Sequence, residues 1–147
     1  MAIALVAAAA NLEAVIESIT PPSDPERTYR KLEGKTPREG VRGHRVFRFG
    51  PPSADLPFEQ GALNTVFRHT FELRMGYSAR GKTYDGLFQA VATEAVLICN
   101  TVNTWAIAWG AGVTELRIEN YRREDIGGED LEIVFDVIAE CEESDGY

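Results

Sequence analysis

The chain has 147 residues, the length of one domain and enough to bury one core. Apolar residues make up 44% and charged residues 26%, the mix of a globular protein rather than a disordered or fibrous one. With 23 acidic residues against 15 basic ones the formal charge is −8, and a phosphate field repels a surface of that sign, so the chain is a poor non-specific binder of nucleic acid or anionic membrane, and a basic DNA-packaging arm is excluded. Two cysteines cannot form a disulfide framework, and the expectation is a reducing compartment.

In chain order, residues 2–19 read as an Ala- and Leu-rich helix, with Leu5, Ala9, Leu12, Ile16 and Ile19 at helical spacing. Its apolar opening is not preceded by Lys or Arg, as the start of a secretory signal would be, and no run reaches membrane-spanning length. Pro21-Pro22 ends the helix because neither residue continues the hydrogen-bond ladder. A polar connection, about 23–43, follows; it is rich in charge, Pro and Gly, and too long for a plain loop.

His44–Phe49 reads as a short aromatic strand stopped by Gly50-Pro51-Pro52. Residues 63–75 alternate: Leu63, Thr65, Phe67, His69, Phe71, Leu73 and Met75 fall on one face, and Asn64, Val66, Arg68, Thr70, Glu72 and Arg74 on the other. That period of two is antiparallel behaviour, with one face on the core and one toward solvent or a partner. A second helix is expected from about Asp85 to Asn103, then strands over 113–121 and 130–141 joined by a turn at Asp125-Ile126-Gly127-Gly128. The expected fold is a single α+β domain over residues 1–147: an antiparallel sheet of about four strands in two hairpins, two main helices on one face, and a long charged loop after the first helix.

Gly76-Tyr77-Ser78-Ala79-Arg80-Gly81-Lys82-Thr83 matches the phosphate-loop pattern G-x-x-x-x-G-K-[ST], in which Lys82 would reach phosphate oxygens and the Thr83 hydroxyl would hold Mg²⁺. The strand before a true phosphate loop is buried on both faces of a parallel sheet, whereas this one alternates. Too little chain follows for further βα crossovers, and the last two strands read as a hairpin. A small nucleotide-binding protein is therefore the second reading, and a surface turn the first. His44 and His69 are the only histidines, with His69 on an apolar strand face, and Cys99 and Cys141 fall on expected core faces. No catalytic set or metal-ligand spacing is present, so neither enzyme activity nor a cofactor is expected.

Charge is segregated along the chain. Arg27, Arg30, Lys31, Lys35, Arg38, Arg42, Arg45 and Arg48 oppose only Glu33 and Glu39, while twelve acidic residues from Glu115 onward face Arg117, Arg122 and Arg123. Either both regions are solvated or pair within one chain, or basic and acidic surfaces of successive copies meet head to tail, a contact that can close into a ring. On the second reading Arg27, Arg30, Arg38, Arg42, Arg45 and Arg48 are the inter-subunit residues.

The helix, polar loop, two strands, helix and closing hairpin, with the run Phe67–Met75 into Gly76-Tyr77 and the acidic end, resemble the tail terminator and tail-to-head joining (neck) proteins of tailed bacteriophages. The resemblance is architectural and covers nearly the whole chain. It implies a non-enzymatic virion protein without cofactor, assembled in the host cytoplasm as a ring, typically a hexamer, that ends the tail tube or joins it to the connector. DNA would pass through the lumen without specific binding, kept from sticking by an acidic lining. The 23–43 loop would then be an arm that orders on assembly and is dispensable for folding of the monomer.

Overall fold

The computed structural model describes residues 3–22, 28–32, 44–54, 59–60, 64–78, 84–127 and 130–144. Two helices, α1 (Ile3–Ser18) and α2 (Tyr84–Asn103), accompany seven strands: β1 (Arg30–Lys31), β2 (Val46–Phe49), β3 (Ser53–Ala54), β4 (Glu59–Gln60), β5 (Asn64–Ser78), β6 (Val113–Gly127) and β7 (Asp130–Ser144).

Three 15-residue strands dominate the sheet. β7 lies at the centre, antiparallel to β5 along its whole length and to β6 on the other side. The free edge of β5 is covered by β2, β3 and β4, which pair with it in turn near Leu73–Met75, His69–Thr70 and Thr65–Val66. Together they form one broken ribbon: Pro51 and Pro52, which have no amide hydrogen to donate, separate β2 from β3. β1 adds to β2 in parallel, so the sheet is mixed.

This corrects the expectation of about four antiparallel strands in two hairpins. Among the described residues the sheet has seven strands and one parallel pair, and β3 and β4 come between β2 and β5 in the chain although β2 pairs with β5 directly. Strands of two residues are too short to show alternation. The second half of β6 was missed for another reason: Asn120–Asp125 has no apolar alternation, because register shifts near Ile118/Asn120 and Asp125/Gly127 bend it and its side chains bond to other charges. The α+β character and the closing β6–β7 hairpin hold.

Both helices cover one face. Phe71, Leu73, Met75 and Tyr77 of β5 and Ile133, Phe135, Val137, Ala139 and Cys141 of β7 form one buried cluster with Leu5, Leu12 and Ile16 of α1 and Ile98 and Val102 of α2. Small side chains let α1 approach closely, with Ala4 and Ala8 buried in the contact. At the last residue of α2, the Asn103 side chain donates to the Ile118 carbonyl at 3.0 Å and accepts the Ile118 N–H at 2.8 Å, replacing ladder bonds beside a bulge in the edge strand β6. Ala8→Leu would force four-carbon bulk into this contact and is expected to lower unfolding free energy by about 1–3 kcal/mol in urea titration. Ala14→Leu, on the exposed side of α1, should change it by less than about 0.5 kcal/mol.

Candidate functional site

The structure divides its charge chemistry between one buried cluster and one open sheet face. In the cluster, the Glu94 carboxylate lies wholly buried on the inward side of α2. Arg45 meets it two-pronged, Nε donating to Oε1 at 2.8 Å and Nη2 to Oε2 at 2.9 Å. The Tyr29 and Tyr77 hydroxyls donate to the same Oε1 at 2.6 and 3.2 Å. Four segments distant in sequence are thus tied to one carboxylate: the approach to β1, the start of β2, the end of β5 and the middle of α2.

Burial alone would push the Glu94 carboxyl upward, but hydrogen bonds from Arg45 and Tyr29 outweigh it and hold the carboxyl below its ordinary range. Burial drives both tyrosine hydroxyls well above theirs, with the neighbouring carboxylate adding to the effect, so both remain protonated donors. Arg45 has a positive φ of 60°, a left-handed conformation costly for a residue with a side chain. Its N–H donates to the Gly76 carbonyl at 2.8 Å and its carbonyl accepts the Arg30 N–H at 3.0 Å, so backbone and side chain together hold the conformation.

The sheet face away from the helices carries an ionic lattice. Arg74 bonds Glu72, Glu124 and Glu132 at 2.8–2.9 Å, and Arg122 bonds Glu72 at 2.6 Å and Asp136 at 3.1 Å. Arg68 pairs with Glu140, and Arg117 with Glu115 and Glu119. Burial opposes ionisation of Glu72, yet bonds from Arg74 and Arg122 leave its carboxyl below the usual range. Val134, between Arg74 and Arg122 in register, is fully covered, as the aliphatic stems of long arginines allow. This is the alternation read from residues 63–75: one apolar face on the core, the other polar.

Of the six arginines assigned to an inter-subunit surface, Arg27, Arg38 and Arg42 lie outside the described residues. Arg30 is exposed on β1, and Arg48 is half-buried opposite Arg74 on the charged face. Arg45 turns inward to Glu94 and is 2% exposed. Residues 28–32 also belong to the fold, with Tyr29 buried and β1 paired, so that part of the 23–43 loop is no dispensable arm. Sequence reading missed Glu94 altogether, although a lone acid among Ala95, Val96, Leu97 and Ile98 marks an inward carboxylate that needs a cationic partner.

Gly76, Tyr77 and Ser78 are the end of β5, and 79–83, with Lys82 and Thr83, lie outside the described residues. The strand leading to them pairs antiparallel on both sides, unlike the parallel setting of a phosphate loop, and Asp136, the residue that could have served its metal, is bonded to Arg122. His69 is buried beside Phe67, and His44 accepts the Ser78 N–H through Nδ1. Cys141 is buried, and burial pushes the Cys99 thiol up to about 11, away from the reactive thiolate. Among the described residues no group of three or more metal-ligating side chains converges, and no helix is long and apolar enough to cross a membrane.

Glu94→Gln removes the charge that compensates buried Arg45 and is expected to destabilise the fold by about 3–5 kcal/mol in urea titration. Because the Glu94 carboxyl is held below its unfolded value, its contribution is present above the ordinary carboxylate range and is lost as pH falls through the lowered value. The acid-side drop in wild-type stability should therefore be shallower in Glu94→Gln.

No family model matches the sequence, and no curated protein does. Among solved structures, a chain from the virion of a native gene transfer agent particle shares this fold, with a TM-score of 0.50 and 13% identity over 90% of this chain and 84% of that one. At that identity the likeness is one of fold.

Proposed function

We propose that this protein is a structural component of a phage-like particle, a non-catalytic α+β domain whose copies assemble into a ring at the tail end or the head–tail junction. The observation that carries the reading is the match in fold, over nine-tenths of this chain, to a chain built into a virion. The distribution of chemistry supports it. Among the described residues, buried Glu94, Arg45, Tyr29 and Tyr77 are knit together by mutual hydrogen bonds, as a structural tie is. In a ring, the open sheet face suits a channel for DNA: Glu72, Glu115, Glu119, Glu124, Glu132, Asp136 and Glu140 outnumber Arg48, Arg68, Arg74, Arg117 and Arg122, and Arg68, Arg74, Arg117 and Arg122 are all ion-paired. The balance of charge on such a face is negative, which repels phosphate. Tail terminator and neck component are the two positions that fit this role, with tail-tube and connector proteins as partners.

Light scattering over a concentration series tests the ring. A discrete multi-subunit species is expected, growing with protein concentration and loosening as salt screens contacts between basic and acidic surfaces. A monomer at every concentration and salt would contradict self-assembly.

A further inference from the structure

From Gly86 to Thr114 the chain carries a single charged residue, Glu94, and that residue is buried. In a protein with 26% charged residues, one continuous surface is thus left uncharged: the outer side of α2, with Phe88 72% exposed, and the connection from α2 to β6. In that connection Ala106, Ile107 and Ala108 are exposed in succession, Ile107 at 68%. Three adjacent exposed apolar residues lower solubility unless something covers them.

This tip is held firmly. Trp109 behind it is buried, its ring 6.2 Å from that of Trp105, and its carbonyl accepts the Asn11 side chain. Gly110 and Gly112 have φ of 145° and 81°, and a Cβ on Gly112 would come within 3.0 Å of the Glu142 carbonyl. Ala4, Ala7 and Asn11 of α1 are the residues on which these glycines rest.

The other flank of α1 carries an apolar recess. Val6, Ala9 and Ala10 face Phe49, Pro52 and Phe71 across an apolar groove of about 340 Å³, with Glu13 and Lys31 at its rim. Val6 is 68% exposed there. At about 3.6 residues per turn, positions 4, 7 and 11 lie on the side of α1 opposite positions 6, 9, 10 and 13. Tip and groove therefore point away from each other across one helix, a placement that forbids a contact within one chain and favours head-to-tail pairing of copies over a symmetric dimer. The charges around them are also opposite in balance: Lys31 at the groove's rim is paired with Glu13 at 3.8 Å and is followed outward by exposed Arg30, whereas the tip is flanked by Glu115, paired with Arg117, and by exposed Glu142, whose N–H bonds the Gly112 carbonyl.

We propose that the 106–108 tip of one copy seats in the α1–β2 groove of the next, making this the repeating contact of the assembly. The inference rests on the ring reading above and names its contact. Docking would bury Ile107 against Val6, Phe49 and Phe71 without burying any charge from residues 95–114.

Ile107→Asp and Val6→Glu place a charge on each half of the contact at positions already open to water, so folding, checked by thermal melting, should be kept. Each variant alone is expected to weaken self-association at least about thirtyfold in light scattering. Mixed together, they retain one intact tip and one intact groove, so 1:1 dimers that grow no further are expected. Wild-type protein that assembles while both variants assemble equally well would overturn this contact and leave the ring standing. Variants that fail singly and show no dimer on mixing would overturn the head-to-tail pairing of tip with groove. A wild type that stays monomeric would contradict the ring and the contact together.

Discussion

Glu94 is the acid that the rest of the structure must accommodate. A carboxylate removed from water in the middle of an apolar helix is tolerable only if its charge is matched and its lone pairs are filled. Arg45 supplies the charge and two hydrogen bonds, and Tyr29 and Tyr77 supply two more. Meeting that demand fixes where the chain must be: Arg45 accepts a left-handed backbone to present its guanidinium, Tyr29 brings the start of β1 alongside β2, and Tyr77 requires β5 to run on past Met75. The cost of one buried charge thus becomes a rule for how four separate segments come together, and an imperfect arrangement leaves a buried ion exposed to its full desolvation penalty.

The remaining charges follow an opposite logic. On the open sheet face, most arginine and carboxylate side chains are partly exposed and interlinked, with Glu132 buried among them, and Arg74 alone serves three acids. Individually such pairs contribute little, but a linked set orders the surface and leaves few free valences for a passing polyanion. The helical layer carries the core on its inner side and very little charge on its outer side. One protein therefore has a self-satisfied face suited to being passed by and an unsatisfied face suited to being covered. The ring proposed above gives that asymmetry a setting, since a ring has both a lumen and subunit contacts.

Much of this was legible in the sequence where periodicity speaks. Residues 63–75 announced a strand with one apolar and one charged face, the helix over 85–103 stood within one residue at its start, and the closing hairpin was marked by alternation in 130–141. What was not legible depended on partners remote in sequence. Strands of two residues have no period, and the parallel pairing of Arg30-Lys31 with Val46-Phe47 is set by Tyr29 and Arg45 reaching the same acid. Arg45 reads as one more member of a basic run, and only the fold shows that it faces inward. The apolar tip carried a signal that was available and went unused: an uncharged stretch of 29 residues interrupted by one acid, in a chain otherwise dense with charge.

The central claim is that copies of this protein join through the helical layer and leave the charged sheet face open. An electron-microscopy reconstruction of the purified assembly, at a resolution that separates strands, tests it most directly. The account predicts a closed ring in which α1 and the 104–112 connection lie at the subunit contacts and the Arg74–Arg122 face looks into the channel. A ring whose subunits meet through that charged face, or whose channel is lined by the uncharged helical surface, would contradict it.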